Sequence, residues 1–552
     1  MFGRREKVDG GSKGGDPRDL ALAYHRASCH EAYRFAPGPD DLDWATQPDP
    51  FRRYAGARLV ALDRPEPDGL EPRYERAFRS GAIAPAPLAR ASLSQLLFDS
   101  LAISAWKRAG ESRWALRCNP SSGNLHPTEG YVIAPALAGV SEKPFVAHYA
   151  PEPHALELRA LLEPELASHF AADGTLLVGL TSIHWREAWK YGVRAFRYCQ
   201  HDVGHAIGAL AVAAAGLGWR ARVFDDPSSE QLAALLGVAS QLGPEREEPE
   251  VLVAIDTCGG ESLASAPDAG ALARAAALAW SGTPNDLSPG HVEWSWIDAV
   301  AEATRRPRMS EPLADVQRFL PWQPGDEALS LRHIVRSRRS AVAFDARSGV
   351  ARDAFVQTLR RTLPRERESV LSCWPYETEI DLALFVHRVE GLDPGLYLCL
   401  RDPRRESAWR DACAPSLEWA RVEAGDLPLF CLRRGDARTL ARSVSCGQDI
   451  AADGCFSLGM FAPLRAALAR RGPWYYRRLF WEAGLIGQLL YLEAEALGLR
   501  GTGIGCYFDG AAHGAFALRG DAFASLYHFT LGRAVDDPRI TSEPSYPEEE
   551  LR

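Results

Sequence analysis

The chain is 552 residues long, with 46% hydrophobic and 24% charged residues and a formal net charge of −9. That length exceeds what one hydrophobic core usually organises, so at least two domains are expected. The mild acidic balance argues against a nucleic-acid or anionic-membrane partner, and the longest uncharged apolar run, about 206–219, is too short to span a bilayer.

In chain order, residues 1–20 read as a disordered leader: "MFGRREKVDGGSKGGDP" is basic but has no apolar run of the signal-peptide kind. Residues 21–90, rich in His, Trp and Pro, read as an arm ordered over the surface of a domain. Residues 91–260 form a first domain and 326–540 a second. The joint at 261–325 carries two helical patterns, "LARAAALAW" (272–280) and "VEWSWIDAVAEAT" (292–304), the second entered through Ser288-Pro289. The acidic tail, 541–552, reads as frayed. The eleven cysteines are widely spaced and contain no C-x-x-C, which points to reduced, mostly buried thiols in a cytoplasmic protein.

The two domains repeat one another. Leu93, Leu96, Leu97 and Trp106 of "LSQLLFDSLAISAW" match Leu331, Ile334, Val335 and Phe344 of "LRHIVRSRRSAVAF" at one constant offset. Further on, "RAFRYCQHDVGHAIGALAVAAAGLGW" (194–219) aligns without a gap to "WYYRRLFWEAGLIGQLLYLEAEALGL" (474–499). The match pairs Arg197 with Arg477, Asp202 with Glu482 and Gly204 with Gly484. Both segments have helical spacing of apolar residues. Each is followed by Phe-Asp (Phe224-Asp225, Phe508-Asp509) and by a strand-like run ending in glycine, "VLVAIDTCG" and "LYHFTLG".

Four stretches carry candidate chemistry. In "RCNPSSGNLHPTEGYVI" (117–133) the amides and hydroxyls of a Pro-Ser turn can face a polar ligand, with Asn124 and His126 adding side-chain bonds; the same residues also suit a surface turn before a strand. Arg338 and Arg339 before Ser340 suit bidentate phosphate binding or a solvated basic helix face. The glycines of "GTGIGCYFDG" (501–510) would let backbone amides approach a flat ring or a phosphate, though the run lacks G-x-G-x-x-G spacing. Lys190 and Tyr191 form either a proton-transfer pair or a surface lysine beside a packed tyrosine. His201 and His205 stand at i, i+4 with no H-E-x-x-H pattern, and their matched positions are Trp481 and Leu485, which favours packing over metal binding.

Taken together, "RRSAVAF", R-x-x-P-S-S-G-x-L-H-P, W-K-Y-G-x-R-A-F-R-Y-x-x-x-D-x-G-H and "GTGIGCYFD" resemble the flavin-dependent nitroreductase superfamily. Within it the nearest likeness is to the SagB-type dehydrogenases, which include the azoline oxidases of ribosomal-peptide biosynthesis. The resemblance implies an α+β fold class: two nitroreductase-like domains in one chain forming an intramolecular pseudo-dimer, each a central, mostly antiparallel sheet flanked by helices. It implies FMN at the interface between them. Phosphate ligands of the family's kind, Arg338, Arg339, Ser340 and Arg533, occur only in the second half; the first has Ser100, Leu101, Ala102 and Gly260 at those places. The Pro-Ser turn, Pro120, Ser121, Ser122, Gly123, Asn124 and His126, occurs only in the first, where the second has "SVLSCWPYETEIDL".

One composite FMN site per chain is therefore expected, with the mirror site empty. The amides of Gly505, Cys506 and Tyr507 are expected near the ring edge, Lys190 and Tyr191 as the catalytic pair, and no metal. The implied activity is hydride transfer at flavin N5, acting on a heterocycle-bearing or small-molecule substrate in a monomer or weak homodimer. An NAD(P)H-driven nitroreductase-type reductase and a non-catalytic flavin-binding or partner protein are the alternatives.

Overall fold

A computed structural model of the chain describes residues 15–65, 69, 71–169, 174–224, 226–258, 269–309, 318–321 and 329–547. Two antiparallel seven-stranded sheets dominate it. Edge to edge, the first runs Arg58–Ala61, Ala155–Leu161, Phe145–Ala150, Thr128–Ala134, Thr175–Ser182, Glu248–Asp256 and Arg220–Phe224. The second runs Ala420–Arg421, Leu429–Arg434, Gly395–Cys399, Asp381–Val386, Phe456–Ala462, Ala524–Gly532 and Arg500–Ile504. Six strands follow the same chain order in both. Only the first edge differs, because the first sheet borrows Arg58–Ala61 from the arm. The central strands read as near-continuous apolar runs because both their faces are covered: every residue of Thr175–Ser182 and of Phe456–Ala462 is buried.

Two long helices, Ala195–Gly216 and Tyr475–Ala496, lie between the sheets. Every residue of the first and nearly every residue of the second is buried, which is why both are apolar around most of their circumference. They cross where the aligned glycines meet. A Cβ on Gly204 would stand 2.2 Å from the Trp481 carbonyl oxygen, and one on Gly484 would stand 2.2 Å from the carbonyl oxygen of His201. His201 and Trp481 are themselves aligned, so the contact is reciprocal, as in a two-fold interface between identical subunits. Gly204→Ala is expected to destabilise the protein by about 1–3 kcal/mol or more, since the atoms it meets are backbone and cannot rotate away; a denaturant midpoint measures it.

Four outer segments depart from their sequence-based expectations. Leader residues 17–20 are helical: Asp16 caps the helix Pro17–Ala27 by accepting from the Arg18 amide, with Pro17 at the first helical position. The arm does not lie over one domain but is built into both. Tyr24 donates to the Val193 carbonyl, Tyr74 to Glu493 across 2.7 Å, and Arg52 to Glu245. In the joint, the helices are Ala269–Ala276 and Ser295–Ala303. Ser288-Pro289 does not start the second, because the Ser288 hydroxyl is taken by Trp185 and the Thr46 carbonyl. The tail is not frayed through residue 547: Thr541–Glu543 pairs with the hairpin strand Ile103–Ala109, and Tyr546 stacks on Phe98. Asp225, Gly260 and much of the joint lie outside the described residues. Among the described residues no helix is long and apolar enough to cross a membrane.

Candidate functional site

A cavity of about 850 Å3 opens between the two halves. From the first half it is lined by the Pro-Ser turn, Pro120 to Asn124 and His126; from the second by 337–342, Arg500 and Thr502-Gly503. The turn runs through left-handed backbone, which Gly123 (φ 63°) adopts freely and which Asn124 and His126 (φ 57° and 50°) adopt with strain. The Ser121 hydroxyl accepts from the His126 amide at 2.9 Å and so closes the turn on itself. His126 Nε2 donates to the Ala115 carbonyl at 3.0 Å, which leaves Nδ1 as an unprotonated acceptor without a partner. Burial, aided by Arg117, holds that ring's pKa well below its ordinary value, so His126 is neutral.

The arginine frame divides its work. The helix Leu331–Ser337 ends at Arg338, and Arg336 turns away to bond the Phe98 and Ile103 carbonyls and lie over the Phe98 ring. Arg336 therefore anchors its frame to the matched helix of the other half. Arg338, 3% exposed, donates from Nη2 to the Arg117 carbonyl, while its Nε and Nη1 have no partner. Arg339 bonds carbonyls and Ser104 only. Neither guanidinium has a carboxylate partner among the described ion pairs. Burial pulls both pKa values down, that of Arg339 to about 10 with repulsion from Arg338 adding to it. A buried cation with free donors is costly unless an anion completes it. Ser340 lines the same wall, its hydroxyl 2.9 Å from that of Tyr491.

Across the cavity stands Asp202, which spacing alone did not single out. Its Oδ2 has no partner; Ser121 and Ser122 favour its charged form, yet burial outweighs them and raises its pKa well above the ordinary value. Glu187, stacked behind Ser121 at 3.4 Å, is raised the same way by burial and by Asp202. The matched acid Glu482 is instead paired with Arg401 and the Glu379 amide. That asymmetry was visible in sequence only as an Asp/Glu match.

Lys190 and Tyr191 end the helix His184–Tyr191 and sit one layer behind the turn. A Cβ on Gly123 would meet Tyr191 Oη at 2.7 Å and Lys190 Nζ at 3.1 Å. Burial first, then Glu187, raises the Tyr191 pKa well above 10, so its hydroxyl keeps its proton. His205 lines the cavity and meets the Tyr527 hydroxyl, whereas His201 turns to the Leu526 carbonyl.

Other expected residues stand apart. Gly505, Cys506, Tyr507 and Arg533 do not line the cavity. The glycines of "GTGIG" make room for aromatic rings rather than for a ligand: Cβ atoms at Gly501, Gly503 and Gly505 would collide with Phe529, Tyr527 and Tyr198. At the mirror position, Leu371, Cys373 and Trp374 pack into one apolar cluster with Trp219, Ala221 and Val223. Side chains fill that place, where the Pro-Ser turn leaves the other open.

No family model matches the chain, and no curated protein matches it. Solved structures do. A candidate nitroreductase from Anabaena variabilis superposes with a TM-score of 0.66 at 21% identity, covering 94% of this chain and 99% of its own. A candidate nitroreductase from Exiguobacterium sibiricum, solved in complex with FMN, covers 40% of this chain and 94% of its own, at 14% identity and a TM-score of 0.23. The E. coli microcin synthetase McbBCD complex covers 36% of this chain and 70% of its own, at 17% identity and a TM-score of 0.28. The first of these shows that the chain has a nitroreductase-type fold over almost its whole length.

Proposed function

We propose that the chain is an FMN-dependent oxidoreductase of the SagB-dehydrogenase kind, a fused duplication with one flavin site between its halves. The observation that carries this is Arg338: a buried guanidinium with two unpartnered nitrogens, facing the Pro-Ser turn of the other half across a single cavity. A flavin phosphate is the anion that such a pair of arginines would complete. The residues present fit the rest of the group. Arg338, Arg339 and Ser340 would hold its phosphate, and His126 Nδ1 and the Asn124 amide group offer an acceptor and donors to its polar edge. When bound, flavin supplies hydride acceptance and donation.

The chain's own residues orient, exclude water and handle the proton. Tyr191, protonated and backed by Lys190, is a proton donor one residue layer from the turn. Asp202, whose carboxyl burial shifts toward the protonated form, lies on the cavity wall itself. The substrate proposed is a small or heterocycle-bearing molecule, and because the interface is internal, the working unit proposed is a monomer. The visible spectrum of the purified protein after FMN reconstitution, with flavin measured against protein, tests this. A ratio near one is expected; a ratio near two overturns the single site, and a colourless protein overturns the flavin.

A further inference from the structure

Outside the cavity, two thiols face each other. Cys446 and Cys506 are partly exposed, with Sγ atoms 2.7 Å apart, while Cys199, Cys373 and Cys399 are buried and pushed up in pKa by that burial. The backbone around the pair is arranged for the contact. The helix Arg438–Val444 ends in a left-handed turn in which the Gly447 amide bonds the Arg442 carbonyl at 2.9 Å. Cys446 occupies the left-handed position of that turn, φ 55°, where glycine is the usual residue. A cysteine there carries strain that glycine would not, and what it gains is a thiol aimed at Cys506. Gln448 Nε2 donates to the carbonyls of both Ser445 and Cys506, and the Phe508 amide donates to the Val444 carbonyl, so the two segments are clamped together.

The second feature is the charge around Cys506. The Ala36 amide donates to His30 Nδ1 at 2.9 Å, which leaves the ring proton on Nε2. The contact with Cys446, then His30 and Arg194, outweigh burial and bring the Cys506 thiol down to about 5. Cys446 is shifted in the opposite direction by the same contact. The contact thus favours the thiolate at Cys506 and the protonated thiol at Cys446 beside it.

We propose that Cys446 and Cys506 form a thiol–disulfide exchange site that takes low-molecular-weight disulfides, with Cys506 attacking and Cys446 resolving. The Cys506 thiolate attacks one sulfur of R–S–S–R; the S–S bond breaks, one thiolate leaves, and a mixed disulfide forms on Cys506. The departing thiolate takes the Cys446 proton. The Cys446 sulfur then attacks Cys506, expelling the second thiolate and closing the Cys446–Cys506 disulfide. Two electrons pass from the cysteine pair to the small disulfide, which leaves as one thiol and one thiolate. The closed form would tie the end of helix Arg438–Val444 covalently to the segment that Arg194 holds through the Gly505 carbonyl. This site does not rest on the flavin reading.

Incubation of the full-length protein with oxidised glutathione, then alkylation and peptide mass mapping, tests it. A Cys446–Cys506 cross-linked peptide is expected, reversed by reduced glutathione. Cys446→Ser should trap a glutathionyl adduct on Cys506, and Cys506→Ser should yield neither cross-link nor adduct. Cys446→Gly, which suits the left-handed backbone, should keep or raise the melting temperature and still abolish the cross-link, separating chemistry from folding. Alkylation of both thiols as free cysteines in the wild type after oxidised glutathione overturns the proposal, as does an adduct on Cys446 in place of Cys506.

Discussion

Replacing Arg338 and Arg339 together with alanine is expected to abolish the proposed flavin binding and to leave a folded, colourless protein. Each guanidinium offers charge-assisted hydrogen bonds worth about 1.5–3 kcal/mol to an anion. Losing both removes roughly 3–6 kcal/mol, so affinity falls on the order of 100- to 10,000-fold. The fold has little to lose. Arg338 is buried without a counter-charge and two of its nitrogens are unpartnered, so in the ligand-free protein it is a desolvated charge rather than a contributor to stability. Arg338→Ala alone should therefore unfold at a midpoint equal to or above that of the ligand-free wild type, and the double variant should lose only what the Arg339 bonds to Ser104 and to the Arg336 and Arg338 carbonyls contribute. Equilibrium dialysis against FMN gives the affinity, and chemical denaturation of both apoproteins gives the stability. Ser100→Ala, at the position matching Arg338, is the control: its hydroxyl bonds the Leu96 carbonyl of the helix just before it, and flavin content should not change. A double variant that keeps its flavin would remove the basis for assigning the phosphate to this pair.

Asp509→Asn is expected to cost about 3–5 kcal/mol of stability at neutral pH, because it strands two buried guanidinium groups. Asp509 ends the second half's Phe-Asp dipeptide, and three parts of the chain converge on it. Arg194 and Arg197, both buried, reach its two oxygens at 3.3 and 3.1 Å from the first half. The His30 amide of the arm donates to Oδ2 at 3.0 Å, and the Asp509 amide donates to the His30 carbonyl. His25, Cys29 and Asp509 could in principle surround a metal ion, their donor atoms lying within 4.8 Å of one another. The Arg197 guanidinium bonds all three and fills that place with a fixed cation.

Burial would raise the Asp509 pKa, but Arg197 and Arg194 outweigh it and hold the carboxyl well below its usual range. The sign of the pH dependence follows. A depressed folded-state pKa contributes stability above the unfolded value, near 4, and loses it as pH falls through the folded value. The asparagine variant has no such contribution to lose, so the gap between variant and wild type should be full at pH 7 and narrow steadily below about pH 4. Urea denaturation across that range measures it. A gap independent of pH would show that the carboxylate charge is not what joins the three segments.

Local pattern sufficed for some elements and failed for others. The two long helices, the strands that follow them and the equivalence of Gly204 with Gly484 were legible because each half writes the same apolar spacing, whereas the contact between those two glycines came only from the structure. The division of the arginine frame and the Pro-Ser turn between halves was legible for the same reason: a repeat shows what one copy lacks. The role of "GTGIG" was not, because what a glycine makes room for is set by residues far along the chain, here Tyr527, Phe529 and Tyr198. The arm and tail read as peripheral because they are short, polar and Pro-rich, yet they are buried through partners more than a hundred residues away, such as Tyr74 on Glu493 and Tyr546 on Pro151.

Asp202 and Arg338 mark the boundary most clearly. Sequence determined that a carboxyl and a guanidinium stand at these positions, on a long helix and at the end of a short one. Only the tertiary structure decided that neither is completed by a partner, that both face one cavity, and that their counterparts Glu482 and Ser100 are already satisfied. Pairing is a property of the whole set of neighbours in space. A local stretch of sequence holds the charge but not the partners, and the free energy of a buried charge is set by the partners.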